Sequence, residues 1–212
     1  FMNIAILGAG IIGVTTAYEL ATDGHQVTVF ERHASVAEGS SFANAGVVAP
    51  GYVTPWAAPG MPLKVLRYLL ARHAPVRVRR PLALADIAWM RQWLAACDRA
   101  AYASNRARMQ RLAFYSRHRL HQVAGAMAYD FDRSSGYMVL LRAERDRRLA
   151  QPGLALLREL GVPFQELDAD TARRIEPALH PPTPLAGAIP LPQDEVGNCR
   201  QFAIILRDAA EQ

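Results

Sequence analysis

The alternation of apolar and polar positions predicts a strand, a helix and a second strand at the start of the chain. The apolar run 3–7 has the length of a strand and leads into the pattern Gly-x-Gly-x-x-Gly, formed by Gly8, Gly10 and Gly13. Apolar residues then recur at helical spacing, and a second apolar run, 26–30, follows. This order of elements predicts a parallel βαβ unit.

The glycine pattern in this context indicates a site for a dinucleotide. The first glycine permits a tight turn, the second lets a pyrophosphate approach the backbone, and the third lets the helix pack on the strand. Glu31 ends the second strand, about 20 residues after the glycines, where a carboxylate accepts hydrogen bonds from ribose hydroxyls and repels the 2′-phosphate of NADP. The alternative, an ordinary strand–helix turn, is disfavoured by the complete set of elements, so the sequence predicts NAD or FAD.

A long stretch of small residues follows the second strand. Residues 32–62 are rich in Gly, Ser, Pro and Ala, with the most unusual composition at 38–46 and 50–60. Loops of this length in compact domains are usually functional, and small side chains let a flat ligand approach the backbone. We expect a ligand-binding loop here; the alternative is a flexible surface loop.

A basic, amphipathic helix is predicted at 63–73. Residues 64–80 contain no acidic residue. Their basic residues are Lys64, Arg67, Arg72, Arg77, Arg79 and Arg80. Two interpretations stay open: a solvated face, and contact with an anionic membrane surface.

The middle of the chain alternates between helical and strand patterns. A long helical region runs over 86–127. A turn at 134–136 precedes a strand at 137–141. A further helix is predicted at 144–160, with a kink or a split at Pro152 because proline cannot donate the helical hydrogen bond.

Shorter elements are predicted towards the end of the chain. The patterns indicate a short strand at 162–167, a helical turn at 170–175 and another strand at 186–190. Asn198 is a good N-cap for a final helix at 200–211.

Composition limits the classes of protein that fit. The 212 residues are 51% hydrophobic and 20% charged, as in a soluble globular protein of one domain or two small ones. The net charge of +5 comes without an aromatic-interleaved basic motif, so we expect no nucleic-acid partner. Cys97 and Cys199 lie far apart, which predicts neither a metal site nor a disulfide and fits the cytoplasm. We expect no transmembrane helix.

Several of these segments together resemble one family of flavoproteins, the D-amino acid dehydrogenase small subunits, within the wider group of D-amino acid oxidases and glycine oxidases. The likeness extends over essentially the whole chain. The segments that carry it are the three-glycine pattern, Glu31-Arg32, 41–46, 50–52, 55–60, 62–64, 72–75, the region around Asn105, 176–179 and 192–199.

The resemblance implies an α/β fold with a Rossmann-like, glutathione-reductase-like FAD-binding βαβ domain and an α+β substrate or cap region. We expect the FAD-binding βαβ and flavin-proximal loop at 1–62, a mainly helical cap or substrate region at 63–185, and a segment returning to the FAD domain at 186–212. Family members are considerably longer, so the FAD domain is expected to be incomplete here. A C-terminal half or a partner subunit would complete it.

The resemblance also implies an activity: FAD-dependent oxidation of D-amino acids to 2-oxo acids and ammonia. Electrons would pass to a quinone or another respiratory-chain acceptor, with the protein cytoplasmic and in peripheral contact with the inner face of the membrane. Two alternatives stay open. One is an amine oxidase acting on glycine, sarcosine or proline-type substrates with oxygen as acceptor, and the other is a non-catalytic FAD-binding fragment.

The residues implied to bind FAD lie in the first 46 positions. The pyrophosphate segment comprises Ile4, Ala5, Ile6, Leu7, Gly8, Ala9, Gly10, Ile11, Ile12, Gly13, Val14, Thr15, Thr16, Ala17 and Tyr18. The others are Glu31 at the adenosine ribose, Arg32 at the adenine side, and Ser40, Ser41, Ala43, Asn44, Ala45 and Gly46 along the pyrophosphate towards the flavin. Tyr52 is a candidate for lining the active-site pocket, and the sequence assigns no catalytic residue.

Overall fold

The structure, a computed structural model, describes residues 1–69, 82–127 and 130–211. In this part of the chain the elements are β1 (Asn3–Leu7), α1 (Ile11–Thr22), β2 (Gln26–Phe30), β3 (Val47–Val48), α2 (Met61–Leu69), α3 (Leu84–Ala96), α4 (Arg99–Ala126), β4 (Ser134–Leu141), α5 (Glu144–Glu159), α6 (Ala169–Ile175), β5 (Gly187–Val196) and α7 (Cys199–Ala210). Helices and strands therefore alternate along much of the chain.

The predicted βαβ unit is confirmed. β1 and β2 are parallel, in a register that runs from Asn3 opposite Gln26 to Leu7 opposite Phe30. A crossover must connect parallel neighbours, because a tight turn cannot return the chain to the same end, and here α1 makes that crossover. The Gly8 N–H donates to the Phe30 carbonyl at 2.8 Å, which extends the pairing into the glycine turn.

A second sheet has the strand order β3-β5-β4 and is antiparallel throughout. Val47 pairs with Val196 at one end of β5, and Leu141 of β4 pairs with Gly187 at the other. Leu191 in the middle of β5 is only 1% exposed. β5 is thus the central strand, and both its neighbours depend on it for backbone partners.

Helices α1 and α7 pack together through apolar faces. Val14 and Ala17 of α1 are buried, as are Phe202, Ala203 and Leu206 of α7. Alanine at two of these positions permits a close approach of the helices. α7 therefore covers the helix that starts at the glycine turn.

The chain divides into two compact units. The first consists of Phe1–Gly51 and His121–Gln212, and the second of Tyr52–Leu120. Residues 121–185, which the sequence groups with the helical region, thus belong to the first unit because β4 pairs with β5. The three domain boundaries drawn from the sequence stay a prediction.

The fourth strand begins earlier than its apolar pattern predicts, and the predicted turn at 134–136 is wrong. β4 starts at Ser134, and its register shifts between Ser135 and Tyr137. Gly136 lies in this irregularity with φ +91°. The glycine that suggested a turn marks a bulge within a strand, since pairing with β5 holds the backbone on both sides of it.

Two other strand predictions are changed by pairing. Residues 162–167 form no strand and contain one isolated bridge, between Leu167 and Ala188. The strand predicted at 186–190 is confirmed from its second residue but continues over Gly187–Val196. β5 extends further because β3 and β4 both pair with its far end.

The helical region predicted at 86–127 is confirmed and consists of two helices, α3 and α4. α3 ends before Cys97, and Asp98 then caps α4 by accepting the Ala100 and Ala101 N–H groups at 2.8 and 3.2 Å. These N–H groups, that of Ala101 first, hold the pKa of Asp98 below its ordinary value. The apolar spacing continues across this break, so periodicity alone did not reveal it.

Two other helices differ from expectation. α5 runs continuously through Pro152, so the predicted split is wrong. Leu154 and Leu157 are buried on the same helix, and their packing offsets the hydrogen bond that proline cannot make. The helix predicted at 63–73 is confirmed as Met61–Leu69, and its last four positions lie outside the described residues.

The last two helices are confirmed, and so is the predicted cap at Asn198. The Asp168 carboxylate accepts the Thr171 N–H at 2.7 Å at the start of α6. The Asn198 side-chain oxygen accepts the Gln201 N–H at 3.1 Å at the start of α7. Of the helices in the described residues, none has the length and apolar content needed to cross a bilayer.

Candidate functional site

The glycine turn between β1 and α1 has the geometry of a phosphate cradle. Gly8 has φ +96°, which side-chain-bearing residues rarely adopt, and a Cβ at Gly13 would run into the Gly8 carbonyl. A Cβ at Gly10 would meet only the Ser41 hydroxyl, at 3.4 Å. Two glycines thus serve the turn and its packing, whereas the space beside Gly10 is open to a ligand.

The start of α1 attracts anions. The helix begins at Ile11, so the N–H groups of its first turn lack intrahelical acceptors and carry partial positive charge. One of them, Ile11 N–H, donates to the Ser41 hydroxyl at 3.0 Å. Ser41 is 6% exposed and keeps its own hydroxyl proton for an acceptor. These donors suit a diphosphate.

Glu31 at the end of β2 is held beside the same turn. One carboxylate oxygen accepts the Ala9 N–H at 2.6 Å, and the other accepts the His33 N–H at 2.9 Å. These two bonds, that of Ala9 first, hold the pKa of Glu31 below its ordinary value of 4.5. The carboxylate is therefore ionised at neutral pH, and its remaining lone pairs can accept ribose hydroxyls.

The segment after β2 is tied to the turn by contacts that sequence reasoning missed. The Ala37 N–H donates to the Ala9 carbonyl at 2.8 Å, and Ala37 has φ +58°. Arg200 of α7 donates to Glu38 at 2.9 Å, and its guanidinium lies 4.2 Å from the centre of the Phe42 ring. The sequence around each residue does not predict these contacts, because their partners come from distant parts of the chain.

Other residues predicted to bind FAD have varied surroundings. Arg32 is exposed and donates to the His33 ring at 3.1 Å. Asn44 accepts the Gly46 N–H at 2.8 Å. Ser40, Ala43 and Ala45 are exposed. Tyr52 belongs to the second unit and is 54% exposed.

Part of the predicted pyrophosphate segment stabilises the glycine turn through the strand before it and the helix after it. The Thr15 and Thr16 hydroxyls donate to carbonyls one turn earlier in α1. Val14 and Ala17 are buried, and Ile4–Leu7 are the strand itself. The structure therefore brings together the glycines, Glu31 and Ser41, while these residues hold the turn in place.

A cavity of about 570 Å³ lies in the first unit beside the turn. Its volume is within the range of small-molecule sites. Residues that line it include Ala9, Val29, Glu31, His33, Val36 and Arg207. The cavity thus reaches the carboxylate predicted to bind ribose.

These features define a class: a Rossmann-type protein that binds a dinucleotide through a parallel βαβ unit. The chain belongs to the family of FAD dependent oxidoreductases, whose model matches residues 3–212. The fold class, FAD cofactor and oxidoreductase class predicted from the sequence are thereby confirmed. The individual FAD-binding residues stay predictions.

Related sequences include D-amino acid dehydrogenases. Those from two strains of Cereibacter sphaeroides are each 44% identical over 213 aligned residues. The alignment covers 100% of this chain and 49% of the relative. The resemblance to this group is confirmed, and the chain spans about half the length of the relatives it matches.

Solved structures share the fold at low sequence identity. Glycine oxidase from Geobacillus kaustophilus has a TM-score of 0.59 at 22% identity and covers 98% of this chain and 44% of its own. Iminodiacetate oxidase from Chelativorans sp. has a TM-score of 0.61 at 20% identity, with coverage of 98% and 44%. L-alpha-glycerophosphate oxidase from Mycoplasma pneumoniae, solved with FAD bound, has a TM-score of 0.54 at 20% identity, with coverage of 100% and 43%.

Proposed function

We propose that this chain is the FAD-binding portion of an enzyme that oxidises D-amino acids to 2-oxo acids and ammonia. The observation that carries the proposal is the 44% identity to D-amino acid dehydrogenases along the entire chain. The open cradle at Gly10 and the ionised Glu31 beside it fit the cofactor that the family uses. The protein half that the alignment leaves uncovered supplies the rest of the site, on the same chain or on a partner subunit.

Different residues of the first unit bind different parts of FAD. The first turn of α1 binds the diphosphate through its N–H groups, and Ser41 adds a hydroxyl donor. Glu31 accepts the ribose hydroxyls, and the neighbouring cavity takes the adenosine. Residues 43–46 run towards the flavin, whose chemistry when bound is to accept two electrons from the substrate.

The protein contributes binding and orientation to this reaction. Oxidation of the Cα–N bond removes two electrons and two protons, and water then converts the imino acid to the 2-oxo acid and ammonia. A cationic donor must hold the substrate carboxylate, since charge-assisted bonds give both strength and direction. We assign Tyr52 to the lining of the substrate pocket and no residue of this chain to proton transfer.

We propose that the electrons leave to a quinone or another membrane acceptor, with the protein docked on the inner face of the membrane from the cytoplasm. The second unit favours such contact. Of the 24 Lys and Arg and the 19 Asp and Glu of the chain, 13 basic residues but only two acids fall within 52–120. On α2, Leu63 and Leu66 are exposed beside Lys64 and Arg67. Apolar and basic groups together bind anionic lipid surfaces.

FAD uptake tests the foundation of the proposal. The purified chain should bind FAD, and Gly10→Val should abolish uptake, because its branched side chain fills the space beside the turn. Gly125→Val is the matched control, since a Cβ at that exposed helical glycine has no neighbour within 4 Å. Titration of FAD fluorescence measures both. Wild-type flavin content in Gly10→Val would refute this placement of the cofactor.

Turnover by the complete, FAD-loaded enzyme tests the substrate and the acceptor. We expect D-amino acids, and not their L-enantiomers, to reduce a quinone analogue. Release of hydrogen peroxide with glycine or sarcosine would instead identify an amine oxidase. Tight FAD binding with no turnover on either class would identify a binding module.

A further inference from the structure

A buried carboxylate on β5 contacts the segment that leads from the cofactor turn. We propose that Asp194 is a positioning residue that fixes the loop of residues 43–51, and through this loop the flavin environment. The inference rests on the proposed binding of FAD. No part of it requires Asp194 to touch the cofactor or the substrate.

The central contact joins Asp194 to the far end of the loop. Asp194 is 2% exposed, and its Oδ1 accepts the Gly51 N–H at 3.1 Å. A Cβ added to Gly51 would lie 3.1 Å from the other carboxylate oxygen and 3.1 Å from Val162. The side chain of Asp194 therefore packs closely against the loop backbone. A buried carboxyl group is costly to desolvate unless it is hydrogen-bonded, which favours retention of this bond.

The near end of the loop is fixed by the same strand. The Gly197 N–H donates to the Gly46 carbonyl at 2.9 Å. Gly46 has φ +66°, and a Cβ there would collide with the Gly197 carbonyl. Val47 and Val48, which form β3, pair with Val196 and its neighbour in β5. Backbone contacts hold the start of the loop, and Asp194 holds its end.

The strand that carries Asp194 is itself braced on another side. The adjacent residue, Glu195, is buried and bonds to His121 at 2.7 Å and to Arg133 at 3.3 Å. These partners come from α4 and from the segment before β4. β5 is thus the fixed element, and the loop is the element that it positions.

The loop has few means of holding itself in place. Ala43, Ala45 and Gly46 carry no polar side chain, and the Asn44 side chain bonds within the loop. Small side chains let the backbone approach a flat ring, but they cannot set its distance. The anchors on β5 therefore determine where the loop backbone lies.

The test compares Asp194→Ala, which removes the acceptor, with Asp194→Asn, which retains an oxygen for Gly51. In the FAD-loaded protein we expect amide exchange in the 44–51 peptide to quicken by about tenfold or more in Asp194→Ala, since the acceptor for the Gly51 N–H is lost. Its visible flavin circular dichroism should change as well. Asp194→Asn should restore both signals, which a general loss of stability would not predict.

Asp168→Ala is the control. It removes the N-cap of α6, the bond to the Thr171 N–H, but keeps the Gly51 bond, so the flavin signal should stay at wild type even where the melting temperature falls. If Asp194→Ala does not fold, Gly51→Ala replaces it, because its Cβ crowds the same carboxylate. Wild-type exchange and a wild-type flavin signal in folded Asp194→Ala, or in folded Gly51→Ala, would overturn the inference. Failure of the wild-type protein to bind FAD would instead overturn the proposed function.

Discussion

Glu31 connects the two halves of the proposed cofactor site, because it accepts a backbone bond from the glycine turn while its free lone pairs face the place predicted for ribose. Its pKa lies below 4.5 for this reason. The carboxylate thus orients the turn even before a ligand binds. This dual role makes the residue a sensitive point for mutation and for pH.

Replacement of Glu31 by Ala should weaken FAD binding by at least about tenfold, since a charged acceptor is lost. The loss should appear in the dissociation constant from fluorescence titration. Glu159→Ala, at an exposed acid near the end of α5, is the control and should bind FAD as the wild type does. Equal affinity of both variants would show that Glu31 does not contact the cofactor.

The same carboxylate predicts a pH dependence. The folded pKa is depressed, so the contribution of Glu31 is present above the ordinary value of 4.5 and is lost as pH falls through the lower, folded pKa. FAD affinity should hold steady from neutral pH to about 5 and drop only in more acid solution. In Glu31→Ala this drop should be absent, and a drop of wild-type size in that variant would assign the titration to another group.

Helix boundaries in this chain depend on single capping side chains. Asn198 stands directly before an apolar helical pattern, so its cap could be predicted from the sequence, whereas the cap at Asp168 was not predicted. Asp98 interrupts a continuous apolar pattern, and its cap could not. A side-chain oxygen at an N-cap satisfies donors that the helix itself leaves open, whichever signal precedes it.

Removal of the Asn198 cap should destabilise the first unit. Asn198→Ala loses the acceptor for the Gln201 N–H and should lower the free energy of unfolding by about 1 kcal/mol. Asn198→Ser retains an N-cap oxygen and should recover most of it. Chemical denaturation measures both variants, and an unchanged free energy of unfolding in Asn198→Ala would show that the cap contributes nothing to stability.

Strand boundaries were less predictable than helix starts. Gly136 has the chemistry of a turn yet lies inside β4, and 162–167 has the composition of a strand yet makes one bridge. In both cases the outcome depends on β5, which lies about 50 and 25 residues further along the chain, because a strand needs a partner at hydrogen-bonding distance. Residues near in sequence carry no information about that partner.

The chain as a whole separates its charges between its two units. Residues 52–120 hold 13 basic residues and two acids, although the net charge of the whole chain is only +5. The first unit is consequently acidic on balance. Such asymmetry favours one unit over the other at an anionic surface, and it decays with ionic strength.

Binding to vesicles should reveal this asymmetry. The protein should sediment with phosphatidylglycerol vesicles at low salt and much less with phosphatidylcholine. Lys64→Glu with Arg67→Glu, on α2, should reduce binding by about tenfold or more. Arg142→Glu with Arg145→Glu makes the same change of charge on the first unit and should bind as the wild type does. An equal loss of vesicle binding in both double variants would show that binding depends on net charge alone.

The sequence by itself determined the βαβ unit, the glycine turn, the acidic end of β2 and the capped helix α7, because each depends on residues within about one or two elements of each other. Only the tertiary structure decided how β5 joins two other strands and how Ser41 meets α1. It also decided that Asp194 meets Gly51. The contact between Asp194 and Gly51 joins residues that are 143 positions apart in the sequence. Local sequence patterns indicate which secondary structure a segment prefers. Burial and hydrogen bonding in the folded chain determine which other segment it pairs with.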